Sequence, residues 1–157
     1  MFMIRPTIPA DTPELLAITA GTGLFNPLEI ETLDTVLSDY HDEAAAQGHH
    51  CSTYEQDGKI IGFTYFAPAP MTDRTWDLWW IVVSKQIQAR GIGGELLRHA
   101  EDGARAEKGR LMEVPTSGLA SYDLTRRFYI KYGYEVAAVL KDHYADGHDM
   151  VIYRKRL

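Results

Sequence analysis

Only one cysteine, Cys51, occurs in the 157 residues. That excludes an internal disulfide framework and fits a reducing cytoplasm. Long apolar runs are missing as well. No stretch approaches the roughly 18 apolar residues of a membrane-spanning helix, so no membrane partner is expected. The opening MFMIRPTIPADTPE is not of signal-peptide type, because Arg5, Pro6 and Pro9 interrupt it. Basic charge is in deficit: 16 Lys and Arg against 22 Asp and Glu leave a net charge of −6. This argues against a nucleic-acid binder, whose affinity rests on neutralising phosphates. It suits a cationic, amine-bearing substrate. His41, His49, His50, His99, His143 and His148 show no ligand spacing beside cysteines or acids, so no metal is expected. Repeats and domain-boundary linkers are lacking too. A single domain over residues 1–157, with a sizeable core, is the natural reading.

What the chain does have is concentrated between Trp76 and Ala106. An apolar, β-branched run, Leu78 to Val83, reads as a buried strand. A glycine-rich turn follows, Gln88-Ala89-Arg90-Gly91-Ile92-Gly93-Gly94. Ile92, Leu96, Ala100 and Ala104 then recur at helical spacing, with Glu101 and Arg105 expected as an i,i+4 pair on the outer face. The first turn of a helix carries backbone N–H groups with no internal partner and the positive end of the dipole. Glycines let a ligand approach the main chain, so the junction suits a phosphate or pyrophosphate, with Arg90 adding charge. Plain packing of a tight strand-to-helix turn explains the same glycines equally well. No Gly-Lys-Ser/Thr follows, which excludes a Walker loop. Leu96 stands where the dinucleotide fingerprint needs its third glycine.

Around this stretch the chain alternates helices and strands. Phe2 to Arg5 reads as a strand. Thr12-Pro13-Glu14 opens a helix that stops near Gly21, and Pro27 opens a second. Cys51–Glu55 and Lys59–Phe66 read as a hairpin across Asp57-Gly58. The helix after the glycine turn runs to about Lys108 and stops at Gly109. Leu111 to Val114 reads as a strand ended by Pro115, followed by a loop, Thr116 to Ala120. A helix spans about Tyr122 to Tyr132, and Tyr134–Leu140 and Met150–Arg154 close the chain across a turn-rich Asp142–Asp149. Strict alternation would put Asp77 and Trp79 on one face of their strand, and Trp76 and Trp80 on the other. The order argues α/β with a mixed sheet.

Gln88-x-x-Gly91-x-Gly93 after an apolar strand resembles the acetyl-CoA signature of the GCN5-related N-acetyltransferases, the GNAT family. Arg127-Phe128-Tyr129-Ile130-Lys131-Tyr132-Gly133-Tyr134 resembles its second hallmark, an aromatic-Tyr-x-x-x-Gly-aromatic segment. Two motifs in the right order are more specific than either alone. The resemblance implies an acyl-CoA N-acyltransferase-like fold, with a mostly antiparallel central sheet flanked by helices. It implies acetyl-CoA as co-substrate and a primary amine as acceptor: a small molecule, an amino acid or a peptide N-terminus. Homodimers are common in the family, so a homodimer is among the expectations.

By the same resemblance, main-chain groups near Ile81, Val82 and Val83 hold the pantetheine arm and the oxyanion. Backbone N–H groups from Arg90 through Gly91, Ile92, Gly93 and Gly94 take the pyrophosphate, and Gln88 matches the signature. Tyr129 would protonate the departing thiolate; core packing is the alternative. Asp77 stands near the place of a general base, with Glu113, His143 and water as alternatives. Tyr122 and Thr125 stand where the family often has Asn and Ala, which leaves a coenzyme contact for Tyr122 open. A larger acyl group, or a coenzyme-binding sensor that has lost turnover, is consistent with the same motifs.

Overall fold

A computed structural model describes the backbone of residues 1–157 and the side chains of all but 88–90. The strands are β1 (Phe2–Pro6), β2 (His50–Gln56), β3 (Lys59–Pro68), β4 (Thr75–Val83), β5 (Leu111–Ser117), β6 (Glu135–Ala145) and β7 (His148–Arg156). The helices are α1 (Thr12–Gly21), α2 (Pro27–Asp39), α3 (Ile92–Ala106) and α4 (Asp123–Lys131). The strands form one sheet in the order β1-β2-β3-β4-β5-β7-β6. β4 and β5 are parallel, whereas β1/β2, β2/β3, β5/β7 and β7/β6 are antiparallel. The mixed, mostly antiparallel sheet flanked by helices is thus present. The chain divides into two compact units, Met1–Ala67 with Trp80–Ala100, and Pro68–Trp79 with Glu101–Leu157.

In the first unit, α2 starts where its sequence dictates. Asn26 accepts from the Glu29 N–H at 2.8 Å, the Glu29 carboxylate accepts from the Asn26 N–H at 2.9 Å, and Pro27 takes the first turn. The helix passes into a π turn, Tyr40–Ala44, and ends at Gly48, whose φ of 96° is left-handed. Alternation along β3 sends Phe63, Tyr65 and Ala67 into a core with Leu15, Ile18, Leu33, Leu37 and Val82. Each fully buried Leu or Phe there is worth about 1.5–3 kcal/mol. Gly62 lies on the opposite face, where an added Cβ would stand 2.8 Å from the Val82 carbonyl oxygen. A forked pair ties β1 to the turn before α1: Arg5 Nη1 and Nη2 donate to Asp11 at 2.8 and 3.0 Å.

In the second unit, strands outrun their expected lengths. β5 continues through Pro115 to Ser117, paired with β7 throughout. Pro115 is exposed and lies past Glu113, the last β5 residue paired with β4, so its missing N–H costs no ladder bond on that side. The connection expected over Asp142–Asp149 shrinks to a tip at Asp146 and Gly147. Side chains take over pairing there. Asp149 accepts from the Asp142 N–H at 2.9 Å, and Asp142 accepts from the Gly147 N–H at 2.7 Å.

Glu101 corrects another expectation. It is 5% exposed, not on an outer face. It accepts from the Tyr134 hydroxyl at 2.7 Å and from Lys155 Nζ at 3.1 Å; the expected i,i+4 pair with Arg105 is present at 4.0 Å, and Arg105 also donates to Asp102 at 3.0 Å. Strict alternation in β4 fails as well. Trp76 packs against Gly109 and the end of α3, while Trp80 packs against Phe25 and the α1–α2 core.

Candidate active site

The glycine turn is built as its sequence implies. A short 3-10 segment, Lys85–Arg90, ends at Gly91, whose φ of 75° is left-handed. A side chain is strained in that conformation, which is why glycine stands there. The Gly91 carbonyl accepts the first helical bond, from the Glu95 N–H at 3.2 Å. The N–H groups of Ile92, Gly93 and Gly94 therefore have no acceptor inside α3. Gly91 is exposed and Gly93 partly so. The end of β4 packs against this turn: Val83, Ile92 and Leu96 share a core with Tyr54 and Ile61, joined by Ile81 and Ile87. Glu95 is drawn away from the helix start, because its carboxylate accepts from the Tyr54 hydroxyl at 2.7 Å. Burial, followed by this carboxylate, pushes the Tyr54 phenol up to about 12. The first unit contains Ile81, Val82, Val83, Gly91, Ile92, Gly93 and Gly94, and of these Ile81, Val83 and Ile92 share one cluster. The side chains of Gln88 and Arg90 lie outside the described residues.

The second unit holds the candidates for proton transfer. Tyr129 is 5% exposed at the end of α4, between the rings of Phe128, Tyr134 and Tyr153 at 5.2, 5.6 and 5.9 Å. The Tyr134 N–H donates to its carbonyl at 3.0 Å. Burial pushes its phenol well above the ordinary tyrosine range, so the hydroxyl keeps its proton at neutral pH. Asp77 sits opposite Glu113 across the β4–β5 ladder. Burial, and then the Glu113 charge, raise the Asp77 carboxyl. Glu113 also lies 3.9 Å from Arg154. Tyr122 occupies the N-cap position of α4. His143 makes a ring contact with Tyr144 at 4.8 Å.

One pair escaped sequence reasoning. Ser117 Oγ lies 2.7 Å from His148 Nε2, across 31 residues of sequence. Nothing in the spacing of a lone serine and a lone histidine signals this; only the β5–β7 register does. Cys51 is excluded as a nucleophile. It is 1% exposed, and burial pushes its thiol up to about 12. Among the described residues, no group of His, Cys, Asp and Glu could hold a metal ion, and no helix is long and apolar enough to cross a membrane.

A family model described as an acetyltransferase (GNAT) domain matches residues 47–136, more than half of the chain. The chain belongs to the GNAT family. A crystal structure of a protein assigned to that family, from Desulfovibrio desulfuricans, is 33% identical over 99% of both chains, with a TM-score of 0.94. Ard1 from Thermoplasma volcanium is 18% identical over 99% of this chain and 97% of its own, with a TM-score of 0.81. The PaiA N-acetyltransferase from Thermoplasma acidophilum, solved in complex with coenzyme A, is 18% identical over 100% and 99%, with a TM-score of 0.77. At that identity the last two show the fold alone. No curated protein sequence matches the chain. The GNAT assignment agrees with both motifs, the glycine turn before α3 and the Tyr129–Tyr134 segment.

Proposed function

We propose that this GNAT protein transfers an acetyl group from acetyl-CoA to a primary amine, by direct attack in a ternary complex. The observation that carries the reading is the first turn of α3 behind the exposed Gly91, with three N–H groups unclaimed by the helix, packed against the end of β4. These groups, at Ile92, Gly93 and Gly94, would take the pyrophosphate, and main-chain groups near Ile81–Val83 the thioester and its oxyanion. The relative from Thermoplasma acidophilum, solved with coenzyme A, supports that ligand class. Residues 1–157 would act as one domain, since β4 and α3 each run through both units.

In the reaction the amine nitrogen attacks the thioester carbon, the carbonyl becomes an oxyanion, and its collapse expels the coenzyme as a thiolate. Tyr129 would supply the proton to that sulfur. Its buried phenol is a weak acid, so transfer requires the thiolate to be made more basic by the same dry surroundings. Asp77 would act as a carboxylate base through water, and burial with the Glu113 charge raises its proton affinity, the direction a base needs. A charge asymmetry supports a cationic acceptor. Between Arg5 and Lys59 there are ten Asp and Glu residues and no Lys or Arg. A small amine, an amino acid or a peptide N-terminus fits these terms, and a reducing cytoplasm fits the single buried thiol.

The test is calorimetric titration of acetyl-CoA into the parent, Gly91→Ala and Gly91→Glu. A Cβ at Gly91 meets nothing within 4 Å, so both variants have room to fold. Both bear the left-handed strain of about 1–2 kcal/mol. Only Gly91→Glu adds a carboxylate beside the pyrophosphate, and its affinity should fall at least about tenfold below that of Gly91→Ala. Equal binding by the two variants, or none by the parent, would sink the reading.

A further inference from the structure

β2 brings one hydroxyl to the glycine turn. Tyr54 pairs with Gly62 of β3 and is 3% exposed. Its ring stacks on Phe2, with 5.1 Å between centroids and 10° between planes. It shares one cluster with Ile61, Val83, Ile92 and Leu96, so it packs beside the end of β4 and the start of α3. Close packing on several sides fixes the ring and, with it, the position of the hydroxyl. That hydroxyl donates to Glu95 Oε2 at 2.7 Å, across 41 residues of sequence. Tyr54, Glu95 and the residues from Gly91 to Gly94 all lie in the first unit.

Glu95 is the acid in the first turn of α3. Its N–H donates to the Gly91 carbonyl at 3.2 Å, which sets it one helical turn after that glycine. Side chains on a helix lean toward its N-terminus, so Glu95 is carried over the turn that holds Gly91 and Ile92. The N–H groups of Ile92, Gly93 and Gly94 and the helix dipole attract an anion there. A loose carboxylate on Glu95 is such an anion, and it never leaves the chain. It would compete with a pyrophosphate for the same donors and repel its charge. In the structure that carboxylate bonds to Tyr54 instead.

We infer that Tyr54 is a positioning residue for coenzyme binding: its hydroxyl ties the Glu95 carboxylate to β2, which keeps the N–H groups of Ile92, Gly93 and Gly94 open to the pyrophosphate. The inference rests on the acetyl-CoA reading above. Tyr54 acts through Glu95 and takes no part in the acyl transfer. Its hydroxyl therefore sets the affinity for the coenzyme, and its removal matters only while the carboxylate is present.

The experiment is calorimetric titration of acetyl-CoA into the parent, Tyr54→Phe, Glu95→Ala and the double variant. Phenylalanine keeps the ring and its packing and removes only the hydroxyl. Alanine suits a helix and removes the carboxylate. Tyr54→Phe frees the carboxylate, and its affinity should fall about five- to tenfold. Glu95→Ala has no carboxylate to restrain and should bind at least as tightly as the parent. The double variant should lie within about twofold of Glu95→Ala. A bond that merely braces α3 against β2 would make Glu95→Ala weaken as much as Tyr54→Phe, and that result overturns the inference. So does a Tyr54→Phe loss that persists in the double variant, or a Tyr54→Phe protein that binds like the parent. Each of these leaves the coenzyme reading intact. A parent that binds no acetyl-CoA overturns both.

Discussion

Replacing Glu101 by glutamine tests the packing behind Tyr129. The Glu101 side chain is 7% exposed and takes two hydrogen bonds on Oε2, from Tyr134 at 2.7 Å and Lys155 at 3.1 Å. Arg105 stands 4.0 Å from Oε1. Lys155 is 25% exposed and its Nζ lies 5.5 Å from the centre of the Tyr134 ring. A hydrogen bond to a charged group contributes about 1.5–3 kcal/mol net. Glutamine is close in shape and keeps an acceptor for Tyr134, so the loss falls mainly on the Lys155 contact. We expect Glu101→Gln to cost about 2 kcal/mol. Lys155→Met leaves the buried carboxylate with only Tyr134 and the distant Arg105, and should cost about 3 kcal/mol. The double variant removes both charges and should cost much less than the two singles together. Urea unfolding followed by near-ultraviolet dichroism reads this out. With a slope of about 2 kcal/mol per molar, Glu101→Gln should unfold about 1 M earlier with an unchanged slope. A midpoint within about 0.2 M of the parent would refute the reasoning, and so would simple additivity in the double variant.

Two further predictions concern proton chemistry. Tyr129→Phe should lower kcat about 10²-fold while leaving acetyl-CoA affinity unchanged. Burial raises the Tyr129 phenol above its ordinary value, so it stays protonated through the working range. An alkaline fall in rate below pH 9 that disappeared in the phenylalanine variant would contradict this. For Asp11, burial alone would raise the carboxyl, but the Arg5 fork, the Ile8 N–H and the Thr53 hydroxyl outweigh it and hold it low. The folded state thus binds that proton less readily than the unfolded chain. The stabilisation is present above about pH 4, the ordinary carboxyl range, and is lost as pH falls through the depressed value. Asp11→Asn should lose about 1.5–3 kcal/mol at pH 7 and show a smaller further loss on acidification. Melting temperatures from pH 7 to 3 that run parallel for parent and variant would count against the Arg5–Asp11 assignment.

The local features were open to sequence reasoning because their physics is local. A left-handed Gly91 and a run of helical spacing after it are set within a few residues, so the α3 start could be placed before any fold was known. Pro27 and the glycine stops mark helix ends for the same reason. Tyr129 could be named from the motif that ends in Gly133 and Tyr134. What depends on distant partners was not legible. Glu101 reads as a surface residue on its own helix; only Tyr134 and Lys155, 33 and 54 residues away, turn it inward. Trp76 and Trp80 read as neighbours on one face, yet Trp76 packs against Gly109 and Trp80 against Phe25. Asp77 reads as a lone acid until the β4–β5 register sets Glu113 opposite it. Ser117 and His148 carry no motif at all. Periodicity and turn chemistry determine which segments become helix or strand, whereas the register between strands decides which side chains meet, because it is set by burial across the whole sheet.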